Sequence, residues 1–177
     1  RQLQGQGFTV NLRNMGIPAA VISPEFQSIG HQYNRDIPAN FIQQEAPFTL
    51  QDSTLVTIFA GGNEVNTITS ALGGGAGGSN PTGYIDTQVR LFGTNFATLL
   101  DIVRSRAPSA RIVVLNLPNL GGLPYLAGAP LPQRQAAQRI SVGMTTTVIN
   151  PLVSQNVTVI DMMCDARYYQ RSNLSAD

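Results

Sequence analysis

Three short runs of β-branched and aliphatic residues set the limits on what this chain can fold into. Residues 54–60, 111–117 and 157–161 are almost continuously apolar, with Val56, Ile58, Val113, Val114, Val159 and Ile160 at their centres. Runs of this kind predict strands buried on both faces, as in a parallel sheet. Residues 8–14 read as a further buried strand. Between the runs lie helical patterns. Over residues 84–107, Val89, Phe92, Phe96, Leu99, Leu100 and Val103 recur at helical spacing and form one core-facing stripe, and Pro108 stops the helix. Over residues 133–154, Ala136, Ile140, Met144 and Val148 do the same. Pro130 and Pro132 mark that helix's start, and Pro151 ends or kinks it. Strands alternating with helices require crossover connections and a parallel sheet. The expected fold is α/β, a three-layer α/β/α sandwich with a flavodoxin-like sheet. Residues 71–83, rich in glycine, and 121–132, rich in glycine and proline, read as loops, and residues 38–47 as a short helix.

Composition removes several functions. All eleven basic residues are arginines, with a net charge of +1. A chain without lysine has no phosphate-loop lysine and no Schiff-base lysine. Its near-neutral charge argues against nucleic acid as a partner. No apolar stretch is long enough to span a membrane. The low charged fraction, 12%, with abundant Gln, Asn, Thr and Gly, points weakly to a secreted or periplasmic protein. The single cysteine, Cys164, reads as a small buried thiol, and the single histidine, His31, as structural. Asp161, Asp165 and Glu64 are too scattered for a metal site, and no cofactor is implied.

In open parallel sheets, ligands bind beyond the carboxyl ends of the strands. The residues that matter therefore follow the predicted strands: 15–18, 61–66 and 118–121. Glycine there lets backbone N–H groups approach a ligand, and an asparagine amide can donate to a developing oxyanion. These segments carry a family resemblance. Asn14-Met15-Gly16, then Gly61-Gly62-Asn63-Glu64, then residues 113–118 and finally Ser175-Ala176-Asp177 resemble, in order, the motifs of the SGNH (GDSL-type) serine hydrolases. Glu64 stands where that family usually has Asp.

The resemblance implies serine attack on an acyl carbonyl, with a histidine as base and a carboxylate orienting it. Gly16 and Asn63 would hold the oxyanion, and Asp177 would be the carboxylate. Glu64, Val65, Asn66, Asn119, Leu120 and Tyr125 would contact an ester substrate, either an acyl ester or an acetylated carbohydrate. Leu120, Leu123, Tyr125 and Leu126 favour an apolar group. The family's Gly-Asp-Ser block and its terminal histidine have no counterpart in residues 1–177. The chain therefore reads as one SGNH-like domain truncated at both ends, with the serine strand on a flanking or complementing segment. The competing reading is a non-catalytic module of the same fold that binds carbohydrate or protein. Gly73, Gly75 and Gly78 formally fit a dinucleotide fingerprint, but they do not follow a strand directly, and Pro81 interrupts the helix start. The sequons at Asn156 and Asn173 matter only in a eukaryotic secretory setting.

Overall fold

The computed structural model describes residues 5–164. Its centre is a three-stranded sheet of β1 (Leu55–Ile58), β2 (Arg111–Leu115) and β3 (Thr158–Ile160), in that spatial order. Both pairings are parallel, with Ile58 beside Val114 and Val114 beside Val159. The apolar runs thus form the strands, and the segments between them are the helical crossovers that parallel pairing requires.

Among the described residues, five α-helices accompany the sheet: α1 (Pro24–Gln32), α2 (Phe41–Gln44), α3 (Gly62–Gly73), α4 (Pro81–Arg106) and α5 (Leu131–Met144). Asn80 caps α4, its side-chain oxygen accepting the Gly83 N–H at 2.8 Å, and Pro81 supplies the preset first turn. Every stripe residue expected on α4 from Val89 to Val103 is buried in the core. The second helical pattern changes form partway. Helix α5 ends at Met144, a π-helical turn spans Thr145–Ile149, and a 3-10 segment, Asn150–Gln155, contains Pro151. The switch leaves the Thr145 hydroxyl on the core side, where it accepts the Leu117 N–H (3.1 Å) and donates to the Leu117 carbonyl (3.2 Å). The expected helix within residues 38–47 is α2 followed by a 3-10 turn, Ala46–Phe48.

Three expectations are corrected. Residues 8–14 form no strand, and Phe8, Val10 and Leu12 are exposed, because among the described residues no strand lies alongside for them to pair with. The outer edge of β1 is likewise unpaired there. The strands are also not covered on both faces. Val56, Ile58, Ile112, Val114 and Val159 pack into or against the core that the helices share, whereas Leu55, Phe59 and Ile160 on the opposite face are exposed. Among the described residues no helix covers that second face. Cys164 is exposed and free rather than buried, because it lies in the turn after β3, where its N–H bonds to Asp161.

Candidate functional site

The chain leaves β1 through Phe59, Ala60 and Gly61 and enters α3 at Gly62. This tight exit depends on glycine at position 61. Its φ is +121°, and a Cβ there would lie 2.8 Å from Leu117 Cδ1. A side chain would therefore be strained in backbone and blocked in space. Leu117, held at β2's exit by Thr145, closes the same corner from the neighbouring strand.

Together these exits build a cleft of about 580 Å³ at the carboxyl ends of β1 and β2. One wall is the segment before α1, with Asn14, Gly16, Ile17, Pro18 and Ala20. The floor is Phe59 to Asn63. The far wall is Leu117, Pro118, Leu120 and Leu123, and Asn66 and Tyr125 form a rim. Gly16 and Asn63 therefore face one space. The Gly16 N–H donates to Asn14 Oδ1 at 3.0 Å, within its own turn. One N–H of the Asn63 carboxamide goes to the Ala20 carbonyl at 2.8 Å. On the rim, the Tyr125 hydroxyl donates to Asn66 Oδ1 at 3.3 Å, and partial burial raises the Tyr125 pKa above that of a free phenol.

The remaining sequence-predicted residues divide. Asn66, Leu120 and Tyr125 line the cleft. Glu64 and Val65 do not; both lie in the interior, 1% and 0% exposed. The correction follows from helix geometry. With α3 beginning at Gly62, these positions turn down toward the core while Asn63 and Asn66 turn up. Asn119 and Leu126 also lie off the cleft surface. His31 sits at an exposed position of α1, its Nε2 within 3.1 Å of the Ile37 carbonyl, away from the cleft lining. Asp177 lies outside the described residues.

Two buried polar groups shape the site in ways the sequence did not suggest: Glu64, expected as a substrate contact, and Asn116, which was not singled out. The carboxyl of Glu64 accepts the N–H of Ile22 and faces the amides of Gly61 and of its own residue. Burial raises its pKa from 4.5 to about 7 against the lowering effect of those amides and of Arg35. Asn116, fully buried at β2's end, donates to Asn150 Oδ1 and Asp161 Oδ1, each at 2.9 Å. Its own Oδ1 accepts the Met162 N–H at 2.7 Å. Asn116 thus fixes the turn after β3, and its bond holds the Asp161 pKa below the usual carboxylate value. An asparagine closing an apolar strand run was the available signal.

No family model matches the chain, and no curated protein matches it. Among solved structures it is similar to an extracellular lipase from Streptomyces rimosus, with a TM-score of 0.54 and 15% identity, over 85% of this chain and 77% of that one. A phospholipase A1 from Streptomyces albidoflavus aligns with a TM-score of 0.42 and 17% identity, over 78% of this chain and 65% of that one. The likeness to the first is one of fold. It agrees with the α/β architecture and parallel sheet expected from the sequence.

Proposed function

We propose that this chain belongs to a serine-type hydrolase of carboxylic esters, in which Gly16 and Asn63 hold the oxyanion. One observation supports the reading: Gly16 and Asn63, from two separate segments, line one cleft beyond the strand ends. Attack of a serine hydroxyl on an acyl carbonyl moves an electron pair onto the carbonyl oxygen. Two positioned N–H donors stabilise the charge that develops there. Asn63 keeps its second N–H for this after binding Ala20. Gly16 would exchange its bond to Asn14 for one to the oxyanion. Ile17, Phe41, Leu120 and Leu123 give the cleft an apolar wall suited to the acyl part of an ester, and the Asn66–Tyr125 pair gives it a polar edge suited to an alcohol or sugar leaving group.

Among the described residues no serine, histidine, cysteine or carboxylate lines the cleft. In this reading the nucleophile and base come from elsewhere, with Asp177 orienting the histidine. A strand carrying the serine would pair along the open edge of β1 and bring apolar cover to Leu55 and Phe59. The same absence from the lining favours a second reading, a non-catalytic module that binds an acylated or acetylated carbohydrate or a protein in this cleft.

The test uses short-chain nitrophenyl esters together with a serine-reactive fluorophosphonate on the full protein. Hydrolysis with covalent labelling supports the hydrolase. A folded protein that neither hydrolyses nor labels overturns it in favour of the binding module.

A further inference from the structure

Glu64 takes no part in the chemistry above, yet its setting is unusual for an acid. It is 1% exposed, in the first turn of α3, and has no ion pair among the described residues. Buried charge without a partner is costly, so a carboxyl persists there only if its surroundings need an acceptor. They do. The N–H of Ile22 points at Oε1 and would otherwise be orphaned inside the core.

The bond belongs to a wider clamp. Segment 20–23 carries the chain from the Gly16 turn into α1 and is buried throughout. Asn63 holds its Ala20 carbonyl. Val21 bonds to Ala39 and Phe41, and Ile22's carbonyl accepts from Ile42. The Ser23 hydroxyl accepts from Asn95 at 2.6 Å. Residues 39–42 and Asn95 tie this segment to the body of the fold. Among the described residues, the hydrogen bonds that tie it to the helix start on the other side of the cleft come from Asn63 and Glu64, adjacent on α3.

We propose that Glu64 is a positioning residue for the cleft: its carboxyl locks Ile22, and through it the Gly16 turn, against the helix start that bears Asn63. Gain or loss of one proton on that carboxyl then changes the strength of the lock. Arg35, in the loop after α1, is the charged side chain that acts on Glu64. The helices packed against α3 carry further charged groups with partners of their own. Glu25 of α1 meets Asn95, His31 meets the Ile37 carbonyl, and Asp86 of α4 pairs with Arg139 of α5 at the surface. What the lock does to a reaction rate rests on the hydrolase reading; the lock itself does not.

The experiment is therefore structural and uses no ester. The backbone amide of Ile22 is followed by NMR from about pH 5 to about 9, in the wild type and in Glu64→Gln, which keeps an acceptor but cannot ionise. The wild-type amide should titrate with a midpoint at about 7. Glu64→Gln should lose that titration while keeping Ile22 protected from hydrogen exchange. Glu64→Leu should speed exchange at Ile22 by about tenfold or more. A wild-type Ile22 amide that does not titrate, a titration that survives in Glu64→Gln, or full protection in Glu64→Leu would overturn the proposal. Failure of the ester assay would leave these results standing, and failure here would leave the ester assay standing.

Discussion

Asn63 reaches back along the chain to Ala20, its Nδ2 donating to the carbonyl at 2.8 Å. Two residues on, the Ile22 N–H returns the connection to Glu64. This pair of bonds makes one wall of the cleft from a segment that has no strand of its own. It also means that the polar groups shaping the cleft are part of its stability.

The pH dependence of stability follows from Glu64. Its folded-state pKa, about 7, lies above the ordinary 4.5. Between those values the native state retains a proton that the unfolded chain has released. Stability should therefore fall as pH rises from 4.5 to 7, by on the order of 3 kcal/mol, and level off above. The other carboxylates are common to both proteins, so the difference in urea midpoint between wild type and Glu64→Gln isolates this group. A difference that stays constant across that window would refute the assignment.

Gly61→Ala should destabilise the fold by about 2 kcal/mol or more. The φ of +121° strains any L side chain, and the new Cβ would press on Leu117. Urea unfolding measures it. Gly62→Ala, where a Cβ meets nothing within 4 Å, is the control and should change little.

Thr145→Val conserves shape but removes both bonds to Leu117. It leaves a buried N–H and C=O without their partner, at a cost of about 1–3 kcal/mol. If Thr145→Val is as stable as Thr145→Ser, which keeps the hydroxyl, the π-helical turn is not what holds β2's exit.

How much of this could be read from the sequence depended on whether the signal was local. The strand runs at 54–60, 111–117 and 157–161 and the stripe from Val89 to Val103 were legible, because each was dictated by its own apolar spacing. Asn63 was legible as a cleft residue because it follows a strand exit, whereas Gly16 lines the cleft although the strand expected before it does not form. Residues 8–14 were misread because strand-forming residues make a strand only beside a partner. Glu64 and Val65 were misplaced because the helix begins within Gly61-Gly62-Asn63, where no apolar spacing announces it. The burial of Glu64 depends on Ile22, a partner distant in sequence. Helix α1 was missed, although Ser23-Pro24-Glu25 is a serviceable start signal; the Ser23 hydroxyl serves Asn95 instead of capping the helix.

The open face of the sheet makes a prediction about behaviour in solution. Leu55, 55% exposed, lies on β1 beside an unpaired edge. In residues 1–177 without a covering strand, Leu55→Lys should leave the unfolding free energy within about 0.5 kcal/mol of the wild type and reduce self-association in light scattering. A large loss of stability would mean that the face is covered.

The most direct test of the proposed oxyanion role of Asn63 is the effect of Asn63→Ala on hydrolysis of a short-chain ester by the full protein. The account predicts a fall in kcat of about 10²–10³ with KM little changed, because the lost donor acts on charge that exists only in the transition state. An unchanged kcat in a folded Asn63→Ala protein would contradict it.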